Sequence, residues 1–70
     1  MWMTDKNGNN LNLDDYIRFY NSVTKNEETG SIYCFDTLYG EDYAQVKTTR
    51  GMYSVMSEDI MEILWWLNTL

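Results

Sequence analysis

EDYAQVKTTRGMYSVMSEDIMEIL, residues 41–64, is the stretch whose reading decides the fold. Tyr43 to Thr48 is built from residue types that strands favour, and Ala44 and Val46 fall on one face as its inner side. Thr49-Arg50-Gly51 reverses the chain. Met52 to Met56 then returns, with Tyr53 and Val55 sharing a face. The end of the stretch admits two readings. Ser57 suits a helix N-cap, and Glu58 and Asp59 suit the positive end of a helix dipole. Ile60, Ile63, Leu64 and Leu67 then recur at helical spacing, which predicts a helix from residue 58 to about 68. The other reading is one helical turn at Ser57 to Ile60, followed by a closing strand from Met61 to Trp65 or beyond.

Moving outward, Tyr39-Gly40-Glu41-Asp42 reads as a turn and Ser31 to Leu38 as a strand. The apolar residues of SIYCFDTL do not alternate cleanly, so a bulge or exposed aromatics is expected there. Residues 21–29, NSVTKNEET, read as a polar loop closed by Gly30. Tyr16 to Tyr20 reads as a strand, with Ile17 and Phe19 on one face and Tyr16, Arg18 and Tyr20 on the other. Asp14-Asp15 turns the chain into it. In the opening stretch, Asn7-Gly8 predicts a hairpin with a type I′ turn, because both residue types tolerate positive φ. Leu11 and Leu13 are expected on a half-buried strand after it.

DKNGNNLNLDD, residues 5–15, also invites comparison with a calcium loop. Such a loop needs glycine at its sixth position and a bidentate glutamate at its twelfth. Counted from Asp5, those positions hold Asn10 and Tyr16. The favoured reading is that the stretch turns the chain.

Composition sets outer bounds. The chain has 70 residues, enough for one domain that buries only about 60% of the surface its unfolded form exposes. Cys34 is the single cysteine and histidine is absent, so neither an internal disulfide nor a four-ligand zinc shell can staple the fold. Hydrophobic residues make up 44%, which is a folding composition and not a disordered one. The longest strongly apolar run, ILWWL at 63–67, is far shorter than the ~20 residues of a membrane span. Without a disulfide framework or a signal-peptide pattern, the expected compartment is the cytoplasm. A net charge of -6 repels phosphate backbones and disfavours nucleic acid as a direct ligand. Lys47 and Arg50 alone are too few to form a basic patch.

Short strands separated by close turns point to a small barrel. The order DKNGNNLNLDDYIRF, then ETGSI, then EDYAQVKTTRGMYSVMSEDIMEIL resembles a family of small uncharacterised archaeal proteins of the methanogen type. Asp5, Gly8, Tyr16-Ile17-Arg18-Phe19, Thr29-Gly30, Val46, Thr48, Gly51-Met52-Tyr53 and Asp59-Ile60 occupy the matching places, over about residues 4–63. The chain departs at Asp14, where the pattern has glycine, and at Tyr43-Ala44, where it has tryptophan. It also adds WWLNTL. The resemblance implies a mainly β protein: an SH3-like barrel of about five short antiparallel strands, with the C-terminal segment a helical turn and then a strand. It implies no activity.

Catalysis has little material. No histidine is present for acid–base work near neutral pH, and Asp14-Asp15 and Glu41-Asp42 lie in turns where solvated acids are normal. Cys34 is expected to be a buried, inert thiol. No enzyme, cofactor or metal is therefore expected. The surplus lies in the aromatics, 16% of the chain. Trp2, Tyr20, Tyr33, Trp65, Trp66 and Leu67 are the candidate interaction surface, since exposed Tyr and Trp mark binding faces. The competing reading packs Trp2, Trp65 and Trp66 on one another to close the barrel's ends. On a strand, adjacent Trp65 and Trp66 take opposite faces, so one of them needs a partner, a symmetry mate or the N-terminal segment. The expected function is a protein-interaction module or small accessory subunit that contacts a partner or a second copy. The alternatives are a nucleic-acid-associated module of the same fold and an acidic inhibitor that mimics nucleic acid.

Overall fold

Residues 3–64 are the part of the chain that the computed structural model describes. They form β1 (Tyr16–Asn21), β2 (Asn26–Leu38), β3 (Glu41–Thr48), β4 (Gly51–Val55), a 3-10 turn (Ser57–Asp59) and β5 (Ile60–Ile63). All pair antiparallel in one five-stranded sheet of order β4-β3-β2-β1-β5. The long β2 serves both halves. Its residues 26–31 pair with β1 and its residues 31–38 pair with β3, so Ser31 faces Tyr16 on one side and Lys47 on the other. β1 touches β4 although β2 and β3 lie between them in the sheet, so the sheet is strongly curled.

The joint between the two halves of β2, inside the strand, depends on Gly30. A Cβ there would lie 2.6 Å from the Lys47 carbonyl oxygen and 2.8 Å from a Val46 methyl carbon. Only hydrogen fits, and that allows β3 to cross close over β2.

Period-two patterning decides the faces. Ile17 and Phe19 of β1, Ile32 of β2, Ala44 and Val46 of β3 and Val55 of β4 are buried, and Phe35 and Tyr53 pack on them. Ile60 and Ile63 of β5, with Met3 and Leu11 from the N-terminal segment, complete the core. Burying each large side chain stabilises by about 1.5–3 kcal/mol, and Phe19, Ile17, Ile32 and Ile60 are the largest fully buried ones.

Several expectations need correction. The polar stretch 21–29 is not a loop: β1 runs to Asn21 and β2 begins at Asn26. The buried Asn21 ties the connection. Its Oδ1 accepts from the Val23 amide at 2.9 Å, its carbonyl accepts from the Lys25 amide at 2.7 Å, and Lys25 takes a left-handed φ of 65°. Asn26, Glu27 and Thr29 are exposed, so that part of the strand reads as polar.

The opening turn is not type I′, because Gly8 alone has positive φ there. The type I′ turn lies at Tyr39-Gly40, with φ of 52° and 79°, so β2 and β3 continue right up to it. Leu13 is exposed, unlike the buried Leu11, because it sits in the turn that Asp15 closes on the Asn12 carbonyl. Asp14 has φ 71° in that turn, a conformation that glycine adopts most easily.

Of the two readings for the C-terminal segment, the described part follows the second. Ser57–Asp59 makes one 3-10 turn, with Met56 at its cap and no side-chain capping bond, and β5 follows. β5 pairs with β1, and the Leu64 amide continues that edge by donating to the Tyr16 carbonyl at 2.8 Å. Three residues apart, Ile60 and Ile63 would take opposite faces of a regular strand; the register shift against β1 between Arg18 and Phe19 leaves Met61 as an extra residue and buries both. The expected irregularity in β2 is present: the register shifts between Ile32 and Cys34, which leaves Tyr33 as the extra residue. Cys34 is half-buried, not buried, and lies opposite Gln45.

Candidate interaction surface

Of the six candidate residues, Trp2, Trp65, Trp66 and Leu67 lie outside the described part of the chain. Tyr20 and Tyr33 are both exposed, but the structure does not bring them together. Tyr20 faces Glu27 at the turn end of the β1–β2 pair, whereas Tyr33 lies in the part of β2 that pairs with β3. The separation along β2 is up to roughly 20 Å at ~3.3 Å per residue.

Tyr33 has other company, on the outer part of the β2–β3 hairpin. β1 pairs no further along β2 than Ser31, and β4 pairs no further along β3 than Ala44. The hairpin continues past both neighbours as a two-stranded arm, through Asp36 opposite Tyr43 and Leu38 opposite Glu41. The arm exposes Leu38 and, at its tip, Tyr39 (104%); Tyr33 (64%) is exposed short of the arm, where β4 still pairs with β3. Leu38 and Tyr39 were not among the sequence candidates. The available signal was a bulky aromatic before a glycine in a tight turn. A type I′ turn needs positive φ at both central residues, and a large side chain there points away from the strands.

The charges divide between structural and solvated roles. Asp5 is buried, and its Oδ1 accepts the amides of Asn7 at 2.8 Å and Asn9 at 2.9 Å, while Oδ2 accepts the Asn9 side-chain amide at 3.0 Å. Burial pushes its pKa up, but these bonds outweigh burial and hold it below the ordinary value of 3.8. A carboxylate occupied by three N–H donors clamps the turn. Asp15 is also buried and accepts from the Asn12 amide at 2.8 Å.

On the outer face Arg18 spans three strands, bonding Glu62 of β5 at 3.0 Å and Glu27 of β2 at 2.7 Å. The hydrogen bonds to Glu62 and Glu27 raise its pKa further, and it stays charged. Glu28 accepts from Asn21 and Thr24. Glu41 and Asp42 lie at the arm's tip, where Asp42 accepts from the Thr37 hydroxyl at 2.8 Å. They share an open groove with Glu58 of the 3-10 turn.

A second groove, of about 410 Å³, runs between Glu27, Glu28 and Thr29 of β2 and Thr48, Thr49 and Arg50 of the β3–β4 turn. It is open and polar, with both signs of charge on its walls. Among the described residues no group of three or more Cys, Asp or Glu side chains is placed to hold a metal ion. No described helix is long and apolar enough to cross a membrane.

A scan against models of protein families, a search of curated proteins and a search of solved structures each found no match.

Proposed function

We propose that this chain is a small SH3-like barrel that acts without catalysis, as a protein-interaction module or small accessory subunit in the cytoplasm. The barrel reading is supported by the long β2 shared between two halves of the sheet, the 3-10 turn before β5 and the contact of β1 with β4. It also agrees with the resemblance to the small archaeal proteins. The observation that carries the functional reading is the set of exposed apolar side chains beside the core. Tyr33 and Tyr39 stand in solvent, while among the described residues every strand contributes a buried side chain to one core. A small domain gains no stability from such residues, and exposed aromatics are the usual anchors of protein contacts.

The test is solution mass by light scattering behind a sizing column over a range of concentrations, followed by affinity capture. A self-association that weakens in Tyr33→Ser or Tyr39→Ser, or a partner whose capture those substitutions abolish, supports the reading. A monomer whose captured proteins are identical for the wild type and both variants overturns it.

A further inference from the structure

We infer that the β2–β3 arm is a docking arm for a different protein, and that it inserts Leu38 and Tyr39 into an apolar pocket rimmed by lysine or arginine. This rests on the interaction reading and names the surface and the partner's chemistry. The β1–β2 hairpin also runs past its neighbours, beyond Phe19, but its end carries Lys25 beside Glu27, whereas the tip of the β2–β3 arm combines apolar exposure with one sign of charge. Tyr39 is fully solvent-exposed, and Leu38 beside it is 45% exposed. Asp36, Glu41 and Asp42 surround them, and all three are exposed.

Glu58 adds a fourth carboxylate from the 3-10 turn, across the groove it shares with Glu41 and Asp42. From residue 26 to residue 46 the chain has no lysine or arginine. Two copies meeting tip to tip would bring these acids together, and like charges held close oppose association. A phosphate backbone meets the same repulsion. A basic rim around an apolar pocket is the complement of this surface. Steering by such charges raises the association rate and makes it salt-sensitive.

The backbone at the tip agrees with this. Tyr39 holds φ 52° in a type I′ turn, a place that asparagine or glycine fills at lower cost. The side chain therefore works against the local fold and has its use outside it.

The test places the photo-crosslinking residue p-benzoylphenylalanine at position 39 of the full chain, in the cells that make it. Positions 20 and 23 serve as controls, because Tyr20 and Val23 are exposed on the β1–β2 hairpin. The expected result is a crosslink from 39, and not from 23, to a protein other than this chain. The linked residue should lie beside lysines or arginines. Glu41→Lys with Asp42→Lys should reduce that crosslink at least tenfold. The recovered protein, purified, should bind Tyr39→Asn at least tenfold more weakly than wild type, although that variant is no less stable.

A crosslink from 39 to a second copy or to RNA overturns the inference. So does equal capture at 23, or indifference to charge reversal. Crosslinks from 20 alone sink the docking arm and leave the interaction reading standing; crosslinks from neither 20 nor 39 also sink the docking arm, and capture by wild type against Tyr33→Ser then decides the interaction reading.

Discussion

Asp5 and Gly30 do more for this fold than their size suggests, for opposite reasons. Asp5 supplies an acceptor where the chain has amides to satisfy, and its charged form is the one the turn holds. Because its folded pKa lies below 3.8, the stability it contributes is fully present above that value. It is lost as pH falls through the lower folded value. Asp5→Asn should cost about 1 kcal/mol at pH 7. Urea unfolding at pH 7, 4, 3 and 2 should show the gap to wild type closing on the acid side of 3.8.

Gly30 contributes by having no side chain. Gly30→Ala should destabilise by about 2–3 kcal/mol, since the new Cβ meets a backbone oxygen that cannot step aside alone. Gly8→Ala has open space around its Cβ and costs only the positive φ, about 1–2 kcal/mol. Thermal melts of the two variants separate close approach from conformation; equal losses would mean that Lys47 and Val46 yield more readily than their packing suggests.

At the level of elements, the two ends of β2 differ. Its first half pairs with β1 up to Ser31, and its last residues, Asp36 to Leu38, run past β4 with β3 as a ribbon of two strands. A two-stranded ribbon is marginal by itself. Amide hydrogen exchange should therefore be slowest at Ile17, Phe19, Ile32 and Val46 and markedly faster at residues 36–43. Equal protection in both regions would mean that the arm is covered.

The same arm offers a stabilising substitution. Tyr39→Asn matches the type I′ turn and should raise stability by about 0.5–1 kcal/mol, which is a Tm increase of about 2–8 °C for a domain of this size. An unchanged or lower Tm would show that Tyr39 is held by contacts within its own hairpin.

For the molecule as a whole, the core is small but drawn from every strand, with Met3 and Leu11 of the N-terminal segment closing it. The Lys6 amide reaches the Ile60 carbonyl at 2.9 Å, so the N-terminal segment is also bonded to the start of β5. Residues distant in sequence thus share one cooperative unit, and loss at Asp5 or Gly30 should be felt in a single unfolding transition.

The residues by themselves determined which side chains face inward at Ile17, Phe19, Ala44, Val46 and Val55, because alternation is a property of the extended chain. They also determined that no histidine is present, and that SIYCFDTL would carry a bulge or exposed aromatics. Tertiary structure decided what local chemistry leaves degenerate. A polar run such as NEET is a loop or a solvated strand depending on whether β1 lies beside it. Asn-Gly and Tyr-Gly both permit tight turns, and the Asp5 carboxylate and the β2–β3 register chose between them. Ile60 and Ile63, three apart, suit one face of a helix, and only pairing with β1, with its register shift, buried both from a strand. The projection of Leu38 and Tyr39 into solvent follows from where β1 and β4 stop, which no window of sequence around Tyr39 encodes.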